Sequence, residues 1–136
     1  MSNTASPQYG VFFSHPDIGN DPAVIKEFAQ SVDQAGFDRI YSAEHVVGGH
    51  PDRAGNEKVH TNVVPYHEPF ALFGFMAAVT SRIEMMTAVL VLPQRQTALV
   101  AKQAAEVDLL SGGRLALGVG IGRNWMEYEA LNENFK

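Results

Sequence analysis

The stretch that most constrains the fold is "RIEMMTAVLVLP", Arg82–Pro93. Successive strand residues point to opposite faces, and from Met85 onward both faces of this run are apolar or small. Such a strand needs cover on both sides, as the strands of parallel sheets receive from crossover helices. The flanking sequence supplies those helices. Tyr9–His15, "YGVFFSH", reads as a first strand. Asp21-Pro22 then reads as N-cap and first helical residue. Val24, Phe28, Val32 and Ala35 follow at helical spacing, and Gly36 supplies the stop. Phe37–His45 is the second strand, and Glu68-Pro69 opens a second helix with Phe70, Phe73, Ala77 and Val79 as its apolar side. A third helix runs from Thr97 to Leu110 through Val100, Ala104 and Val107, and a fourth begins within Asn124–Phe135. Strands alternating with helices of this length predict βαβ units and a parallel sheet.

The order is (βα)₄, whereas a closed parallel barrel takes eight such units. A doubly wound open sheet also accommodates four strands, but the phosphate signature of its first turn is absent. The expected fold is therefore α/β, the N-terminal (βα)₄ half of a (β/α)₈ TIM barrel. Residues 1–136 read as one domain, truncated just as the fourth helix starts.

The last strand is unusual. "LSGGRLALGVGIGRN", Leu110–Asn124, holds Gly118, Gly120 and Gly122 at strict alternation. Leu115, Leu117, Val119 and Ile121 line one face, while Ala116 and the three glycines leave the other nearly bare. A dinucleotide fingerprint fails, because its third glycine slot holds Arg123. No Gly-Lys-Ser/Thr triplet is present for a P-loop. Glycine inside a strand marks close approach of a ligand or of another backbone, and the period alone leaves both open. Gly112-Gly113 reads as a helix C-cap and turn, and Arg114 beside it as one partner of a structural ion pair below the barrel.

Composition bounds the partners. The net charge is −5 with no basic cluster, which argues against a nucleic-acid surface. There are no cysteines, so disulfide and thiolate chemistry are excluded. The N-terminal "MSNTASPQYG" lacks a signal-peptide pattern, and no apolar run reaches membrane-spanning length. The expectation is a cytoplasmic protein acting on a small molecule.

In barrels the reactive groups sit at the carboxyl ends of strands. Here those ends carry Ser14 and His15, then Glu44 and His45, then Gly122, Arg123 and Asn124. The loop Val46–His67 is far longer than an ordinary βα connection, and it adds His50, His60 and His67, so every histidine falls on one rim. None has zinc spacing, and no metal site is expected. His45 reads either as a hydrogen-bonded structural histidine or as a proton carrier near neutral pH, with Glu44 available to orient it. Met85 and Met86 read as core.

At these residues the chain resembles the luciferase-like flavin monooxygenases and their deazaflavin (F420)-dependent oxidoreductase relatives. The resemblance runs from "YGVFFSH" through "GFDRIYSAEHV" to "VLVLPQRQTALVAKQAAEVDLLSGGRLALGVGIGRNWMEYEALNENF". It implies a barrel, often dimeric, with a reduced FMN or F420 ring across the strand ends. It further implies His45 as the catalytic proton-handling residue with Glu44 beside it. The cofactor cradle would take in Phe13, Ser14, Ala88, Val89, Gly120, Gly122 and Asn124, with a non-proline cis peptide near Ala88-Val89. Two departures stand out. Strands five to eight, which by resemblance carry most of the phosphate-binding groups, have no counterpart here. The bacterial luciferases also place an arginine where Ile121 stands. "LPQRQ" leans slightly toward the deazaflavin branch. The implied function is a luciferase-like oxidoreductase or monooxygenase; the alternative is a half-barrel that binds flavin without catalysis or serves assembly. Either would need a second copy, or a complementary half, to cover the sheet.

Overall fold

A computed structural model describes residues 6–55 and 63–135. Its chain order is β1 (Gly10–Phe12), α1 (His15–Ile18), α2 (Pro22–Gln34), β2 (Arg39–Ser42), α3 (Pro69–Val79), β3 (Glu84–Val91), a 3₁₀ turn at Leu92–Gln94, α4 (Thr97–Ser111), β4 (Leu115–Gly120) and α5 (Trp125–Ala130). The four strands form one sheet in the order β1-β2-β3-β4, every pair parallel. The repeating strand–helix units expected from periodicity are therefore present. The strands are shorter than their apolar runs, because the ends peel into the loops that carry the polar groups.

One element went unforeseen. His15 opens α1, a single turn with Pro16 in its first positions, closed by Gly19 at φ 72°. The longer helices start where the sequence places caps. Asp21 accepts from the Ala23 amide at 2.8 Å, and Glu68 from Ala71 at 2.8 Å. Each thereby satisfies a backbone donor that the first helical turn leaves unpaired. At the far end of α4, Gly112 is left-handed at φ 72° and Gly113 donates back to the Asp108 carbonyl, the expected glycine stop.

The core lies between the sheet and its helices. Ile40, Met85 and Leu115 are in register across β2, β3 and β4. They pack with Ala29, Phe73, Met76, Val100 and Val107 from α2, α3 and α4. Tyr41, Met86 and Ala116 share the opposite face. On β4 the helix-side face is covered only at Leu115; Val119 and Ile121 are 55% and 76% exposed.

The glycines of β4 answer to β3. Between Thr87 and Leu90 the β3–β4 register shifts, and the Ala88–Val89 peptide in that interval is cis. A Cβ on Gly118 would overlap the Thr87 carbonyl oxygen; on Gly120 it would lie 2.6 Å from a Val89 methyl, and on Gly122 2.8 Å from a Val91 methyl. The Thr87 hydroxyl closes the gap, donating to the Gly118 carbonyl at 2.8 Å and accepting its amide at 3.0 Å. Of the two readings left open for these glycines, close approach of a neighbouring strand is the one realised in the chain itself.

Arg114 corrects a second expectation. Among the described residues it forms no ion pair. Its guanidinium donates to the carbonyls of Ala77, Ile83 and Ser111 at 2.7–3.1 Å and to the Thr80 hydroxyl at 2.9 Å. One cation thus caps the end of α3 and the entry to β3.

Candidate functional site

The carboxyl ends of β2, β3 and β4 converge with the start of α5. Asn124 is the N-cap of α5 and accepts from the Met126 amide. Glu127 therefore falls at the third helical position, where a carboxylate can reach back to its cap. It does so: the Asn124 amide group donates to Glu127 Oε1 at 3.1 Å. The same Oε1 accepts from His45 Nδ1 at 2.5 Å, and Oε2 from Gln94 Nε2 at 3.3 Å. Glu127 is 1% exposed. An ionised carboxylate accepts and does not donate, so in this pair the His45 ring donates from Nδ1. The ring is further fixed by Tyr66, edge-on with centroids 4.6 Å apart.

Glu44 departs from its expected role. Its carboxylate does not touch His45; it accepts the Val91 amide at 2.8 Å and forms a buried ion pair with Arg95. Arg95 also pairs with Glu68 at 3.0 Å and lies over the Phe70 ring. Glu44 thus ties β2 to the end of β3 and the start of α3. The group that orients His45 is Glu127, 82 positions away in the chain. Sequence reasoning missed it, although Asn124 followed three residues later by Glu127 is a readable cap signal.

A second histidine sits alongside. His15 is 1% exposed. Its Nε2 lies 3.2 Å from the Ala43 carbonyl and 3.1 Å from the Ser42 hydroxyl, while Nδ1 accepts the His67 amide at 3.2 Å. Burial, reinforced by the neighbouring His67 and His45, lowers its pKa to about 4. Burial first, then the Glu127 charge, raises the pKa of the Tyr66 phenol.

The other expected positions fall as follows. Ala88 and Val89 form the cis peptide on β3, with Val89 40% exposed. Gly120 ends β4, Gly122 follows at φ 66°, and Asn124 caps α5. Ser14 N-caps α1 and bonds Asp17. Phe13 is a correction. Its ring is fully buried, edge-on to Phe28 and His15, and offers no surface to a ligand. Of the loop histidines, His67 joins the cluster and bonds the Gly19 carbonyl at 3.1 Å. His50 stays exposed, 3.9 Å from Asp52, and His60 lies outside the described residues.

Four parallel βα units with a histidine–carboxylate pair at the strand ends match one half of a (β/α)₈ barrel. Residues 3–136 match the family model for luciferase-like monooxygenases, and the chain belongs to that family. It is 32% identical over 122 residues to an uncharacterized protein of Mycobacterium tuberculosis, covering 85% of this chain and 42% of that protein. Among solved structures it resembles the FMN complex of the oxygenating constituent of 3,6-diketocamphane monooxygenase from Pseudomonas putida. There the TM-score is 0.70 at 18% identity, over 93% of this chain and 32% of that one. It also resembles the coenzyme F420-dependent tetrahydromethanopterin reductase of Methanopyrus kandleri, with TM-score 0.67 at 18% identity over 94% and 30% of the two chains. The chain thus spans well under half the length of these relatives, and its fold is the (βα)₄ half of their TIM barrel. No helix among the described residues is long and apolar enough to cross a membrane.

Proposed function

We propose that this chain contributes the strand-end site of a flavin- or deazaflavin-dependent oxidoreductase or monooxygenase, with His45 as its proton-handling catalytic residue. The observation that carries this reading is the His45–Glu127 pair. A buried carboxylate accepts the His45 Nδ1 proton, and Asn124 and Gln94 hold that carboxylate in place. Glu127 acts through His45 as its positioning residue, and Glu44 anchors the backbone beneath it.

The residues at the strand ends suit a flat ring. Ala88, Val89 and Gly120 themselves carry no side chain larger than valine, and Val89 is half-exposed. Ser14, Ala88, Val89, Gly120, Gly122 and Asn124 would hold reduced FMN or F420. When bound, that ring supplies the hydride or electrons passed to a small-molecule substrate or to oxygen. His45 holds or releases a proton at Nε2, while Glu127 keeps Nδ1 protonated and compensates the imidazolium charge. The test is turnover by a cofactor-loaded preparation with His45→Asn and Glu127→Gln. Loss of the acid–base group should lower turnover by about 10²–10⁴-fold; undiminished turnover in the His45→Asn protein would sink the role.

A second reading rests on the outer face of β4. Leu117 and Val119 on this edge strand, and Ile121 just past its end, are exposed, an arrangement that favours association. In that reading the chain is an assembly module closed by a second copy or a complementary half. Absorbance in the flavin or deazaflavin bands of the purified protein, together with its mass by light scattering, separates the two.

A further inference from the structure

His15 is not on the cofactor cradle, and the proposed chemistry does not use it, yet it is among the most fully enclosed polar side chains of the molecule. Both ring nitrogens are spent on the backbone. Because Nδ1 accepts the His67 amide, the ring proton must sit on Nε2, which donates to the Ala43 carbonyl and the Ser42 hydroxyl. A ring so committed has no lone pair to receive a proton from a neighbour, so it cannot relay one. What it does instead is join three pieces of chain: the start of α1, the end of β2, and the last residues of the long loop. Tyr66, the residue before that bonded amide, has its ring centroid 4.7 Å from that of His15 and 4.6 Å from that of His45.

We infer that His15 is a positioning residue for His45, holding the 66–67 backbone so that the Tyr66 ring is clamped against the His45 imidazole. The inference rests on the proposed role of His45 for its functional meaning, but the clamp is a separate physical fact. Phe13 fixes the His15 ring edge-on at 4.9 Å, and His67 lies beside it at 5.7 Å. The titratable groups facing His15 are thus His67, Tyr66 and, beyond the phenol, His45; Asp17 on its own turn bonds Ser14. Charging the His15 ring would put a proton on Nδ1 and expel the His67 amide. The neutral ring is therefore the state that keeps Tyr66 in place.

Histidine-ring NMR on the full chain tests this without turnover. His15 should show the neutral Nε2–H tautomer, unchanged from about pH 5 to 8. In a Tyr66→Leu protein the His45 ring signals lose the shift imposed by the adjacent phenol. In a His15→Asn protein they should move most of the way toward those Tyr66→Leu positions, while amide signals of β3 and α4 stay put. His45 signals unmoved by His15→Asn would overturn the clamp. If that variant does not fold, the unsubstituted protein still decides: a His15 ring titrating near the ordinary 6.5, or protonated on Nδ1, overturns it as well. These readouts are independent of the proposed chemistry. A fully active His45→Asn protein would refute the proton-handling role of His45 and leave the clamp standing.

Discussion

Glu44 and Glu127 are buried carboxylates on the same rim, 4% and 1% exposed, and they face opposite kinds of partner. Glu44 is held by Arg95, a guanidinium that never gives up its proton in a protein, and by a strand amide. Its charge is compensated permanently. Glu127 is held by two neutral amide groups and by a histidine, a side chain type that can exchange a proton where a guanidinium cannot. The first arrangement fixes chain segments to one another. The second is the one that the proposed proton chemistry would use.

Breaking the permanent pair should cost most. Arg95→Ala leaves Glu44 buried without its cation, and we expect a loss of about 3–5 kcal/mol in unfolding free energy, read from the urea midpoint. A loss below about 1 kcal/mol would show that Glu44 is not locked as described. Next comes acid. His15 has a lowered pKa, about 4 against 6.5 when unfolded, so between these values the unfolded chain binds the extra proton. Stability should be full above pH 6.5 and fall by about 3 kcal/mol as pH drops to 4. Below that the contribution levels off. Denaturation curves of the His15→Phe protein should lack most of this slope. Glu127→Gln should be milder than either, about 1–2 kcal/mol, since the remaining carbonyl oxygen still accepts from Asn124 and His45, and Gln94 can turn its amide so that its unpaired Oε1 accepts from the new NH₂. Its larger mark belongs on turnover; equal losses for Glu127→Gln and Arg95→Ala would erase the distinction between the two carboxylates. The smallest effect is the reference. Lys102 pairs with Glu106 on the exposed face of α4 at 2.9 Å, and Lys102→Ala should shift the midpoint by no more than about 0.5 kcal/mol.

The sequence made the permanent features more legible than the switchable ones. Period and caps placed α2, α3 and α4 at once, because Asp21-Pro22, Glu68-Pro69 and Gly112 act on residues within one turn. His45 was singled out by its place at a strand end, while its catalytic role and the Ala88–Val89 cis peptide came as implications of the family resemblance. What stayed hidden is what the fold brings together over long separations. Glu44 adjoins His45 in the chain, but adjacent residues at a strand end point apart, so its carboxylate turned to Arg95. The partner that could reach the ring came from α5. Phe13 was misread for a related reason: at the end of a short strand, one residue decides whether a ring faces the rim or the core. The bare face of β4 was seen correctly, but Thr87, Val89 and Val91, which crowd it, become visible only once β3 and β4 are in register.

Arg114 sets a limit on how the molecule can be taken apart. The chain counts as repeated units, and recombination of βα modules would naturally cut between α4 and β4. The guanidinium at the first residue after that cut supplies the missing donors for carbonyls on α3 and at the entry to β3. A module swapped in without arginine at this place would leave its neighbour with open carbonyls at the bottom of the sheet. The third and fourth units are therefore inherited as one block.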